Sequence, residues 1–408
     1  MGIEHDLWQL LERLSRFGGR PDGGVDRPAF SPVWQEATAW LIGEMREIGM
    51  TVRRDAAGNV IGRLGAAQTP AIVIGSHIDT VPSGGRFDGA LGVMAGLVVA
   101  RQLAPRVADF TCALEVVSFA DEEGTFGLTF GSRAMAGSLT AAEVETAADG
   151  AGMPLTQALL AAGGNPSGLD TAIRPAGDLA AYLELHIEQG PVLERAAIDI
   201  GAVEAIVGID IAEITLRGEA NHSGTTPMAM RRDALRAAAE AMAACHAARQ
   251  GATTLNFGRL TVKPGAVNIV PAEVTLTQEI RAGDAAEMAA LRQVCAETFA
   301  AAGRRQGVEV EVRAASYDAP ARMAPPLVAA VERQARELGY TVRRMPSGAG
   351  HDAQSLAGLC PSAMIFVPSV GGISHSPKEL STPAQCAKGA EVLLRVTAEL
   401  LEAGVTKP

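Results

Sequence analysis

Ala71–Leu91 reads AIVIGSHIDTVPSGGRFDGAL, and the fold is decided by how this stretch is read. The apolar run Ala71–Ile74 predicts a strand buried on both faces, the pattern of a parallel sheet. The run stops at Gly75-Ser76, and His77, Asp79 and Asp88 follow at once. Strand ends in α/β sheets are where ligand crevices form. An imidazole there can bind a metal, and a carboxylate two residues on points to the same side of an extended chain. That carboxylate, Asp79, can accept the imidazole's other N–H and fix its tautomer. Gly84, Gly85 and Gly89 let the backbone bend around the site. The alternative is a surface loop with a stray His-Asp pair, so the rest of the chain must decide.

Two other strands end in the same manner. Cys112–Ser118 is a buried run leading into Asp121-Glu122-Glu123-Gly124. Adjacent carboxylates beyond a buried strand are unfavourable unless something neutralises them. One Glu can bind a metal and its neighbour can face a substrate as a base; a solvated acidic turn is the alternative. Ala181–Ile187 carries His186 near its end; a lone histidine in an apolar strand is usually a core residue, but this one stands at a third strand end. Five residues that can ligate a metal thus stand near strand ends: His77, Asp88, Glu123, His186 and His375. This mix of imidazole and carboxylate suits a pair of divalent cations, with Asp88 bridging them.

The remaining elements frame these strands. Helices are expected over 4–16, 32–50, 90–103, 140–164, 326–338 and 383–402, and short strands over 51–54, 60–64, 342–345 and 363–367. Between 208 and 319 the texture changes. Strands over 209–216, 253–262, 267–269, 273–281 and 308–314 alternate with helices over 231–249 and 285–302. That is the β-α-β-β-α-β order of a ferredoxin-like unit. The expected organisation is an α/β catalytic domain, 1–207 with 320–408, whose mixed sheet is flanked by helices. An α+β domain, 208–319, is inserted into it.

Composition narrows the function classes. The chain has 408 residues, a net charge of −11 and no basic run, which argues against nucleic acid as a partner. Cys112, Cys245, Cys295, Cys360 and Cys386 show no CxxC spacing and read as free thiols of a reducing compartment. The N-terminal stretch reads as an amphipathic helix and not as a signal peptide. No run is read as crossing a bilayer. A cytoplasmic protein with no membrane partner is expected.

The sequence resembles the M20 metallopeptidase superfamily and, within it, the hydantoinase/carbamoylase amidases. The blocks carrying the likeness are GSHIDTVPSGGRFDGALGV, DEEG, LHIEQGPVLE, GEANHSGTTPM with RRDAL, GAVNIVPAEV, EIR, SGAGHDA and ISHSPKE. They span nearly the whole chain; LHIEQGP and NHSGTTPM are the most specific. The resemblance implies a zinc-peptidase-like catalytic domain and a homodimer formed through the inserted domain. It implies two cations per subunit, Zn2+ first, with Mn2+, Co2+ or Ni2+ as alternatives. His77 and His186 would hold one, Glu123 and His375 the other, with Asp88 between. Asp79 would support His77, and Glu122 would be the general base. His222 would polarise the scissile carbonyl, reaching in several relatives into the partner subunit's site. Asn268 and Arg281 would grip a substrate carboxylate, with Gln189 and His351 as further site members. The implied substrate is a small ureido or amide acid. The activity would be hydrolysis of an N-carbamoyl-L-amino acid, with allantoate amidohydrolase, aminoacylase or dipeptidase as alternatives. Two departures stand out. Many relatives carry Arg-Phe shortly after Glu-Glu-Gly, where this chain has Thr125-Phe126-Gly127-Leu128. Ser223 stands where Ala is common.

Overall fold

A computed structural model describes residues 2–403. Met1 and residues 404–408, counted in the expected first domain, lie outside them. The chain forms two compact units. One comprises the segments up to Glu204 and from Met323; the other is Ala205–Arg322.

The first unit is built on a mixed sheet. Its strands are β1 (Thr51–Arg54), β2 (Val60–Leu64), β3 (Ala71–His77), β4 (Ala113–Phe119), β5 (Leu179–Ile187) and β6 (Ile200–Ile206). The second unit contributes β7 (Gly208–Arg217), β8 (Thr254–Lys263), β9 (Glu273–Ala282) and β10 (Glu309–Asp318). β11 (Ala321–Arg322), β12 (Val342–Ser347) and β13 (Ser362–Val367) follow. The first sheet runs β1-β2-β4-β3-β5-β13-β6-β11, with β12 also paired to β6. β4, β3, β5 and β13 are mutually parallel, and antiparallel neighbours close both sides. Every residue of β3, β4 and β13 is buried, as two covered faces require. The parallel arrangement puts the C-terminal ends of four strands on one edge: His77 of β3 is in register with Phe119 of β4, and His186 of β5 with Phe366 of β13.

The second unit is a four-stranded antiparallel sheet in the order β10-β7-β9-β8, with helices Ala234–Ala248 and Ala285–Gln306 on its apolar face. Counted within the unit this is 4-1-3-2, the ferredoxin-like order. β9 alternates strictly between half-buried and buried residues, so one face meets the helices and the other does not. Asp233 and Asp284 cap the two helices through backbone N–H groups.

Several expectations are corrected. β3 does not stop at Gly75-Ser76 but continues to His77, because Gly75 lies where Phe119 and Tyr182 leave no room for a side chain. The expected helix 140–164 is two short helices, Ala141–Thr146 and Leu155–Ala161. Gly150, Gly152 and Pro154 separate them, and Gly152 has φ of +86°. The segment 267–269 is no strand: Val267 is fully exposed, and only Ile269 forms a bridge, to His222. No element was expected between Pro191 and Gly208, yet Val192–Ala196 is a helix and β6 joins the sheet. One helical span, Ala90–Asp109, does meet the length and composition of a membrane crossing. The 3-10 turn Ala104–Asp109 prolongs the Ala90–Leu103 helix, which is apolar because it is buried against β3, β4 and β5.

Candidate metal centre

The first unit gathers the five expected ligands at the C-terminal edge of its sheet. His77 ends β3, His186 lies one residue from the end of β5, and Glu123 follows β4. Asp88 and His375 come from the loops after β3 and β13. One nitrogen or oxygen atom each from His77, Asp88 and His186 lie within 4.8 Å of one another, and so do atoms from Asp88, Glu123 and His375. Asp88 is common to both groups. Its Oδ1 lies 3.1 Å from His186 Nε2 and 3.7 Å from His77 Nε2, and its Oδ2 lies 3.3 Å from His375 Nε2. Glu123 Oε2 is 3.5 Å from the same His375 nitrogen.

Tautomers follow from the outer contacts. His186 Nδ1 lies 2.9 Å from the Ile187 carbonyl oxygen, and His77 Nδ1 lies 3.1 Å from that of Asp79. A carbonyl only accepts, so both Nδ1 atoms carry the proton and both Nε2 atoms present lone pairs inward. The Gly89 N–H also donates to His186 Nε2. Bonding instead to Asp88 Oδ1, 3.1 Å away, requires a cation on Nε2 in place of that lone pair. A proton can be that cation. Burial alone would lower His186, but the hydrogen bond and charge of Asp88, with Glu184 behind, raise it to about 9. A divalent cation would satisfy this pair and the neighbouring ligands together, and the donor set fits one on each side of Asp88.

The acids respond to the same crowding. Burial, then the charges of Asp88, Asp79 and Glu379, pushes Glu123 up to about 10. Glu122 is driven well above the carboxylate range by burial and by Glu123. Its Oε2 stands 3.5 Å from His77 Nε2. Nearby cations would reverse these shifts, since a bound divalent ion is the largest charge in such a site.

Asp79 differs from expectation. Its carbonyl, not its carboxylate, accepts the His77 proton; carboxylate Oδ1 is 3.8 Å away and has no hydrogen-bond partner among the described residues. Oδ2 accepts the Glu123 backbone N–H at 3.1 Å, so Asp79 links the two ligand-bearing loops. The reason is local: β3 ends at His77, so the alternation of strand side chains no longer holds two residues on. The glycines also act differently. Gly89 has φ of +62°, and a Cβ there would fall 2.4 Å from the His77 ring. Gly84 and Gly85 need no left-handed backbone and instead permit close approach.

Gln189 joins the site: its amide Nε2 donates to Asp88 Oδ2 at 2.7 Å, and its backbone N–H donates to Ser369 Oγ. His351 is buried edge-on to His186, with ring centroids 4.5 Å apart. Together with Glu184 these two histidines form a third convergent group. In the second unit, Ser223 N–H donates to the Asn268 carbonyl and Val270 N–H to that of Asn221, so the His222 and Asn268 loops are zipped together. His222 Nδ1 accepts from Gly224 N–H at 3.0 Å, which leaves Nε2–H as an exposed donor. The Arg281 Nε–H donates to Glu279 Oε1 at 2.9 Å, so this guanidinium already has an acidic neighbour. Sequence reasoning missed Glu184, Ser374 and Glu379. Glu184 had a signal, since it precedes His186 by two residues on the same strand face.

Residues 73–399 match peptidase family M20/M25/M40. The chain is 40% identical to the N-carbamoyl-L-amino acid amidohydrolase of Geobacillus stearothermophilus, over 97% of this chain and 98% of that one. It is 34% identical to the allantoate amidohydrolase of Bacillus subtilis, over 96% and 97%. A solved amidase of the hydantoinase/carbamoylase family from Burkholderia multivorans superposes with a TM-score of 0.88 at 34% identity, covering 98% of both chains. Ligand geometry, sheet edge and relatives agree, and the chain belongs to the M20/M25/M40 peptidases, among their hydantoinase/carbamoylase amidases.

Proposed function

We propose that this protein hydrolyses the ureido C–N bond of N-carbamoyl-L-amino acids, with one water consumed and the amino acid, carbon dioxide and ammonia released. The observation that carries the reading is Asp88, one carboxylate shared by two ligand groups. Identity of 40% to a carbamoyl amino acid amidohydrolase supports the substrate class. We assign His77, His186 and Asp88 to one cation and Asp88, Glu123 and His375 to the other, with Zn2+ the expected metal. When bound, such cations supply an electrophile and make water acidic enough to attack near neutral pH.

The chain's own groups do the rest. Glu122 is buried beside His77, and with cations bound its raised proton affinity would fall, so that its carboxylate could take a proton from the attacking water and pass it to the leaving nitrogen. His222 offers an Nε2–H donor for the oxygen on which charge develops. Arg281 and Asn268 are assigned to the substrate carboxylate, an Arg fork being well matched to it. In this assignment the Arg281 guanidinium exchanges Glu279 for the substrate. Gln189 orients Asp88. We further propose a cytoplasmic homodimer joined through the 208–319 domain, with His222 serving the partner's site.

A second reading, allantoate hydrolysis, rests on the 34% identity to an allantoate amidohydrolase. The test is ammonia release from a panel of N-carbamoyl-L-amino acids, N-carbamoyl-β-alanine, allantoate, N-acyl amino acids and dipeptides, with zinc, manganese or cobalt added. Turnover confined to allantoate, or to the acyl and dipeptide substrates, would overturn the first reading.

A further inference from the structure

We propose that Glu379 is a positioning residue that ties the Asp88 loop to the His375 loop and so sets the spacing of two ligands. The inference rests on the metal-centre reading above. Glu379 is 4% exposed, and its carboxylate faces both loops. Oε1 accepts the backbone N–H groups of Phe87 at 2.9 Å and Asp88 at 3.0 Å. Oε2 accepts the Ser374 hydroxyl at 2.8 Å, and the same Ser374 oxygen lies 3.0 Å from Asp88 Oδ2. One buried side chain therefore fixes the main chain of the shared ligand and takes the hydroxyl proton of Ser374, the residue before His375, on the other loop.

Two further features converge on it. Ser374 immediately precedes His375, which has φ of +52°, a positive φ uncommon outside glycine. The Ser374–Glu379 bond anchors the residue before that position. On the other loop, a Cβ on Gly85 would lie 2.0 Å from Glu379 Oε1 and 2.5 Å from its Cβ. The absence of a side chain at Gly85 is what lets the carboxylate reach the two amides. Charged acceptors on backbone N–H groups are among the stronger protein hydrogen bonds, and three donors make burial of this carboxylate tolerable. A carboxylate that merely filled space would not need to meet donors on both ligand-bearing loops at once.

The test measures metal as well as turnover. Full-length wild type, E379A, E379Q, S374A and G85A are loaded with zinc and dialysed. Zinc is counted per chain, its affinity is read by competition with a chromogenic chelator, and the chelator-stripped proteins are melted. Groups that orient metal ligands typically contribute about 10–100-fold in metal affinity. E379A is expected to lose that much, and G85A to match it although no ligand is altered. E379Q keeps an oxygen for the Phe87 and Asp88 amides and should fall closer to wild type. S374A leaves the carboxylate and both amide bonds in place and should show a smaller loss of the same sign; it carries the test should E379A fail to fold. Wild-type zinc affinity in E379A, G85A and S374A, whatever their melting temperatures, overturns the inference and makes Glu379 a structural prop. Wild-type protein that takes up no zinc overturns the metal-centre reading itself, and the inference falls with it.

Discussion

Asp88→Asn separates two roles of one side chain. Asp88 is 5% exposed, and its oxygens meet His186, His375, Gln189 and Ser374. Asn keeps the shape and loses the charge. In protein stripped of metal, the charge acts on the His186 proton. Burial would lower His186 below 6.5, yet Asp88 and Glu184 raise it to about 9. At about 1.4 kcal/mol per pH unit that shift corresponds to roughly 3 kcal/mol of stabilisation. The sign is that of a raised base: the contribution is full below pH 6.5 and is lost as pH rises through about 9. Asp88 is itself held well below 3.8 by its hydrogen bonds to His186 and His375, against the effect of burial. Its contribution is present above 3.8 and is lost as pH falls through that lower folded value. The pair is therefore at full strength between about pH 4 and 6.5. Urea unfolding of stripped wild type and Asp88→Asn should differ by about 3 kcal/mol near pH 6, and the gap should close toward pH 9.5. With zinc supplied, Asp88→Asn should lose both ions, whereas His375→Ala should keep one. A stability gap that does not change with pH would refute the coupling, and two retained zinc ions in Asp88→Asn would refute the shared ligand.

Four other outcomes are expected. Glu122→Gln should keep its metal and lose about 10²–10⁴-fold in turnover, the range for a positioned acid–base group; near wild-type turnover in the metal-replete variant sinks the assignment. Arg281→Lys keeps the charge but not the fork, so kcat/KM on carboxylate-bearing substrates should fall; unchanged values in both Arg281→Lys and Arg281→Ala would make Arg281 a structural residue. Gly89→Ala forces a Cβ into the His77 ring from a left-handed backbone, and should lower stability by about 1–3 kcal/mol in melts and reduce bound zinc. Co-expressing Glu122→Ala with His222→Ala should restore up to half of wild-type activity per mixed dimer if His222 acts across subunits, and mixed dimers that stay inactive exclude that arrangement.

Much of the fold was legible because its core strands are unusual in composition. Ala71–Ile74 is a continuous apolar run, Cys112–Ser118 and Ala181–Ile187 are mostly apolar, and each was found within two residues at either end apart from the extension of β3 to His77. The inserted unit was legible from its order of strands and helices, and burial alternates along β7 and β9 as a one-sided sheet requires. What failed had weaker local signals. Helical periodicity over 140–164 was real, but Gly150, Gly152 and Pro154 cut it. β6 carries an exposed Glu204 near its end and has no polar alternation before it, so its place in the sheet is set by β13 and β12.

The site shows where such reading stops. A ligand at a strand end is visible because the strand fixes its position, and the parallel sheet then brings several strand ends to one edge. His77, Glu123 and His186 were read that way as candidates, and the structure brings them to that edge. The groups that hold them in place follow no local pattern. Glu379 meets Phe87 and Asp88 from almost three hundred residues away, and nothing near either segment forecasts the meeting. Asp79 shows the converse: the expected partner residue is right, but the contacting atom belongs to the main chain. Ligand identity is thus written in local sequence, while ligand placement is written in long-range hydrogen bonds. A substitution at Glu379 or Gly85 should therefore disturb the metal without touching any residue that binds it.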